Sequence, residues 1–156
     1  MEKLDSLNQV AEFHQTFGAP VLENPTIPHE TRCALRVKLL EEELEELKQA
    51  IADNDLIEIA DALCDLQYVL SGAILEFGMG TKFVEMFNEV QRSNMSKACL
   101  TLEEAEQTVA YYLQKDGTEA EILEENGVYK VYRISDNKVL KSIAYSPAQL
   151  KEILHK

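Results

Sequence analysis

Glu58, Asp61 and Asp65 stand at i, i+3 and i+7 in a segment, residues 55–77, that contains no lysine or arginine. At about 100° per residue they share one narrow helical stripe with Gly72. Nearly all the rest of that circumference is apolar: Leu56, Ile59, Leu63, Leu66, Leu70 and Ile74 make a core face, and Ile57, Ala62, Cys64, Tyr68 and Val69 cover its flanks. Like charges at this spacing cost a helix roughly 0.2 to 0.5 kcal/mol per pair, and burying them unpaired costs several times more. Something outside the segment must compensate. A hard cation with all-oxygen ligands, magnesium or manganese, does so well. Arg32 and Arg36, on the inward side of the preceding helical segment, are the alternative.

That preceding segment carries the run Glu41-Glu42-Glu43-Leu44-Glu45-Glu46. Such a run is usually a solvated face, but its helical projection divides it. Leu40, Leu44, Leu47 and Ile51 define a core stripe, and Glu41 and Glu45 fall outside with Lys38, Lys48 and Gln49. Glu43 and Glu46 fall beside Leu35, Leu39 and Ala50, with Glu42 at the edge, so these three turn inward.

Other chemistries find no support in the sequence. Di-iron carboxylate bundles need Glu-x-x-His pairs, which His14, His29 and His155 do not form. There is no GxxxxGK[ST] phosphate loop and no histidine placed beside a serine or cysteine nucleophile. Cys33, Cys64 and Cys99 are odd in number and widely spaced, as free thiols in a reducing cytoplasm would be. With 28 acidic and 15 basic residues the net charge is −13, which opposes nucleic-acid binding; a phosphorylated small ligand would need a bridging cation. No apolar run approaches membrane-spanning length and the N-terminus carries no signal pattern. A soluble, cytoplasmic protein of 156 residues with its own core is expected.

The elements that must position these residues follow from periodicity and caps. Helices are expected from Leu4 to Phe17, from His29 or Glu30 to Ile51, from Asp55 to Phe77, and from Lys82 to Val90 or beyond. Gly18 and Pro20 end the first, and the proline-containing stretch to Pro28 reads as an ordered loop. After Lys97 the pattern changes. Thr101 and Glu104 form a capping box for a helix ending near Lys115, and 120–123, 128–134 and 138–142 read as strands of a small β-meander. A short helix follows Pro147. The expected organisation is a helical core over residues 1–97 and an α+β extension over 98–156.

Glu42-Glu43-x-x-Glu46 followed by Glu58-x-x-Asp61 resembles the EExxE and ExxD signature of the all-alpha NTP pyrophosphatases, the superfamily of MazG-type enzymes, dimeric dUTPases and phosphoribosyl-ATP pyrophosphatases. The resemblance extends through Leu35-Arg36, Asp61-Ala-Leu-Cys-Asp65-Leu-Gln-Tyr68-Val, Gly72, Glu76-Phe77-Gly78 and Asn88 to Lys97, and returns at Lys138-Val-Leu-Lys141 and Tyr145-Ser-Pro147. It implies an all-α, MazG-like four-helix core bundle with a small C-terminal α+β appendage, usually built as a homodimer or dimer of dimers. It also implies magnesium-dependent cleavage of a nucleoside triphosphate to monophosphate and pyrophosphate. By the same resemblance Glu43, Glu46, Glu58 and Asp61 are metal ligands, and Glu42 is a further ligand or orients the attacking water. Asp65, Asn94, Lys97 and Arg92 contact substrate, with Tyr68 and His14 at the base pocket. Residues 98–127 are longer than that subgroup usually has, and could serve as dimer contact or lid. The alternative from another class is a non-catalytic nucleotide-binding or helical assembly protein.

Overall fold

A computed structural model describes residues 4–155. The chain is mostly helical and forms two compact units, Met1–Phe83 and Val84–Lys156. The first unit holds α1 (Ser6–Phe17), α2 (Glu30–Ala52) and α3 (Leu56–Glu76). In α2 and α3 a 23-residue and a 21-residue helix pack as a hairpin, and α1 lies on α3. The turn between them is made locally. Asn54 takes a left-handed conformation at φ 55°, and the Asp55 carboxylate caps α3 by accepting from the Ile57 and Glu58 amides.

The proline-containing loop from α1 to α2 is fastened to the end of α3. Its Leu22 and Thr26 amides donate to Leu75 and Phe77 carbonyls at the end of α3. Gly78 closes that helix at φ 67°, where an added Cβ would lie 1.9 Å from the Asn24 carbonyl oxygen. Glycine is required there both by conformation and by the approach of the loop.

The centre of this unit is polar. Glu76, only 1% exposed, receives hydrogen bonds from Arg32 Nε at 3.0 Å and from the terminal nitrogens of Arg32 and Arg36. Arg36 Nη2 also donates to His14 Nε2 at 3.2 Å. Because arginine can only donate, His14 must carry its proton on Nδ1, which lies 2.8 Å from the Pro20 carbonyl oxygen. One carboxylate thus ties α3 to α2, and through His14 to α1 and its following loop. Gly72 leaves the room: a Cβ on it would come within 2.7 Å of Arg36 Nη1 and 3.0 Å of His14 Nε2.

The expected core stripes need correction. Ala50, Ala62, Ile74 and Leu75 are buried, but Ile51, Leu56, Ile57 and Leu63 are 59%, 77%, 79% and 53% exposed, and Leu44 and Leu70 are also exposed. Apolar periodicity marked residues that avoid water, whereas α3 meets only α1 and α2 within its unit and much of its circumference is left uncovered.

The second unit contains α4 (Phe83–Met95), α5 (Leu102–Asp116), the antiparallel pair β1 (Ala120–Glu125) and β2 (Val128–Arg133), and α6 (Leu150–Leu154). Its core is Cys99, Ala105, Val131 and Leu140. Half of the expected capping box forms: Thr101 Oγ1 accepts from the Glu104 amide at 3.1 Å, but Glu104 reaches past the cap residue to the Leu100 amide at 3.0 Å. The three-stranded meander does not form. Residues 138–142 keep a single bridge, Tyr132 to Val139, and then leave β2 so that the Ser142 amide can donate to the Lys97 carbonyl. The sheet among the described residues has two strands. The three cysteines are unpaired, and no helix among the described residues is long and apolar enough to cross a membrane.

Glu76 sets a testable acid limit. Burial, the largest single influence, pushes its carboxyl up, but the hydrogen bonds and charges of Arg32 and Arg36 together outweigh it and hold the group below its ordinary value. Its stabilisation is therefore complete above the unfolded carboxylate value of about 4.3 and disappears as pH falls through the lower folded value. Glu76→Gln should cost roughly 3 kcal/mol at neutral pH, because it strands the buried Arg36. Urea unfolding between pH 3 and 7 should show that loss and a flatter acid limb.

Candidate functional site

The hairpin turn fixes which carboxylates meet. Glu43 lies eleven residues before Asn54 and Asp65 eleven after it, while Glu46 and Asp61 lie eight before and seven after. Two helices rising at the same rate from one turn bring these residues to matching levels. Glu43 is half-buried, and its carboxyl is raised by burial first, then by the charges of Glu46, Asp65, Glu42 and Asp61. All four neighbours are acids. Glu58, only four residues past Asn54, sits nearer the turn and is not among the groups acting on Glu43.

Arg32 and Arg36 do not neutralise this group, since both turn to Glu76. Of the nearby lysines, Lys38 pairs with Glu42 at 3.2 Å and Lys48 with Glu45 at 2.9 Å, each on the exposed side of α2. Glu43 Oε2 is buried and has no hydrogen-bond partner. A carboxylate oxygen so placed incurs a desolvation penalty with no hydrogen-bond donor among the described residues to offset it.

A hard cation suits this donor set. The oxygens are anionic, they come from two facing helices, and one is orphaned. The side chains are neighbours and not a closed chelate: among the described residues, no three Asp, Glu, His or Cys groups converge into a ready-made metal-ligand set. Long glutamate side chains on helices can close on an ion by rotamer change.

The remaining candidates have distinct settings. Tyr68 is exposed on α3, with its ring edge-on to Phe13 at 5.6 Å. His14 is 2% exposed, and both its ring nitrogens are engaged as described above. Arg92, Asn94 and Lys97 belong to the second unit. Arg92 forks onto Glu89 at 2.7 and 2.8 Å and donates to the Pro147 carbonyl at 3.1 Å, and Asn94 Oδ1 accepts from Lys97 Nζ at 2.8 Å. The sequence reading overlooked the Glu76, Arg32 and His14 network. Gly72 was its one visible trace, a glycine inside a long helix, on the stripe that Glu58, Asp61 and Asp65 share.

Residues 10–94 match the family described as phosphoribosyl-ATP pyrophosphohydrolase. An uncharacterized protein of Acanthamoeba polyphaga mimivirus is 24% identical to the chain, in an alignment covering 98% of the chain and 97% of the viral protein.

The raised Glu43 carboxyl makes the carboxylate group a liability without metal. The folded chain holds that proton more tightly than the unfolded chain does. Stability therefore falls as pH rises from about 4.3 through the raised folded value, and stays lowered at pH 7. Glu43→Gln in metal-free buffer should raise the thermal midpoint at pH 7, by the order of 2 °C, and change it less at pH 4. A lower midpoint at pH 7 would contradict the reading.

Proposed function

The chain belongs to the phosphoribosyl-ATP pyrophosphohydrolase family, within the all-alpha MazG-like NTP pyrophosphatase superfamily, and from that premise we propose that it is a magnesium-dependent nucleoside triphosphate pyrophosphohydrolase. It cleaves an NTP, dNTP or related nucleotide to monophosphate and pyrophosphate, in keeping with nucleotide-pool housecleaning. The observation that carries this reading is Glu43, half-buried among four other carboxylates with one oxygen unpartnered.

In this reading Glu43, Glu46, Glu58 and Asp61 hold the magnesium ion, which manganese can replace. The bound cation supplies charge neutralisation on the phosphates and lowers the pKa of a nearby water. Glu42, steadied by Lys38, orients the attacking water and accepts its proton. Asp65, Asn94, Lys97 and Arg92 contact the nucleotide. Tyr68 offers a ring face to the base, and His14 shapes the wall behind it. The buried Glu76 network keeps α2 and α3 in register, so that oxygens eleven residues to either side of the turn stay opposed.

Residues 1–97 act as the functional core, and residues 98–156 are an extension. The four-helix core and the homodimer belong to the same proposal. Their support is the apolar surface that Ile51, Leu56, Ile57 and Leu63 leave uncovered in one chain.

Incubating the protein with a panel of standard and modified nucleoside triphosphates plus magnesium should release pyrophosphate from at least one. Glu43→Gln should lower that rate by about 100-fold or more, a loss of roughly 3 kcal/mol in transition-state stabilisation, and chelation should abolish it. No turnover across the panel, with magnesium-dependent nucleotide binding unaffected by Glu58→Gln and Asp61→Asn, would leave the non-catalytic alternative.

A further inference from the structure

The family match ends at residue 94, and the chain beyond it lines an open cavity of about 410 Å³. Four cations line it, Lys97, Arg133, Lys138 and Lys141, against one carboxylate, Asp116. In a chain of net charge −13 this is a local reversal of sign. Its volume is within the range of small-molecule sites.

The cations are incompletely neutralised. Arg133 Nε lies 2.9 Å from Asp136 Oδ1, close enough for ion pairing but misaligned for a hydrogen bond, and this buried N–H has no hydrogen-bond partner. Lys97 Nζ donates to the neutral Asn94 amide oxygen, and an ammonium has two further donors to offer. Lys141 Nζ sits 4.2 Å from the Tyr145 ring centroid, a contact that orients the ammonium without cancelling its charge. Asp116, the one acid in the wall, accepts from the Thr118 amide at 3.1 Å and from its hydroxyl. A planar guanidinium beside several ammonium groups matches phosphate oxygens in charge and geometry.

We propose that this cavity binds a phosphorylated small molecule without a metal ion, through Arg133, Lys138 and Lys141, with no part taken by the carboxylates of α2 and α3. The phosphate group is the recognised chemistry. Its sources are free pyrophosphate or a nucleoside monophosphate, and Tyr112 and Val139 in the wall offer an apolar surface to a base.

The full chain is titrated calorimetrically in metal-stripped buffer with inorganic pyrophosphate and, separately, with adenosine monophosphate. At least one should bind saturably and more weakly at higher salt. Lys138→Glu and Lys141→Glu, both at exposed positions, should each weaken that binding about tenfold or more, or 1.4 kcal/mol, with unchanged circular dichroism. Glu43→Gln should leave it unchanged. Tighter adenosine monophosphate assigns the cavity to nucleotides, and tighter pyrophosphate to the free anion. The proposal is overturned if neither probe binds, if both lysine variants bind like the parent chain, or if Glu43→Gln alone removes binding. Failure of pyrophosphate release from nucleoside triphosphates would leave this result untouched, because no metal and no turnover enter it.

Discussion

A single buried carboxylate organises the first unit. Glu76 would be untenable alone inside a helical hairpin, and two arginines of α2 make it stable. That commitment has two effects. It fastens α3 to α2 and, through His14, to α1 and the loop after it. It also removes Arg32 and Arg36 from the other acids of the hairpin, so that Glu43 and its neighbours have no arginine partner. One end of α3 is neutralised from within the chain, and the stripe nearer the turn is left to repel itself.

Polar groups therefore do opposite jobs along the same pair of helices. Around Glu76 they are mutually satisfied and specify geometry, apart from one unpartnered Arg36 nitrogen. Around Glu43 they are mutually opposed and lower stability. Proteins commonly accept such a cost at functional sites, and here the supporting network lies on the same two helices as the group it has to hold in place.

Local features were legible in the sequence because their causes are local. Asp55 caps α3, Thr101 and Glu104 cap α5, and Gly78 ends a helix, each through contacts within a few residues. Glu45 could be read as a surface acid from the helical projection, and it pairs with Lys48 in solvent. Long-range choices were not legible. Nothing near Glu76 in sequence announces partners forty and forty-four residues away. Periodicity could not say that Leu56 and Leu63 would lack cover within one chain, since it records hydrophobicity and not the number of neighbours. The strand expected at residues 138–142 failed for a similar reason: its composition suits a ladder, but Ser142 turns aside to the Lys97 carbonyl. The opposition of Asp65 to Glu43 was accessible in principle, by counting outward from the turn.

That count makes the α2–α3 hairpin a ruler. Changes in the turn that preserve its geometry leave the opposed residues level, whereas one residue inserted between Glu46 and the turn would rotate Glu43 and Glu46 by about 100° and lift them 1.5 Å. The acids would then point elsewhere, and Arg32 and Arg36, carried on the same helix, would lose their register with Glu76. Spacing to the turn, more than the number of acidic residues, is what a chain of this kind has to preserve.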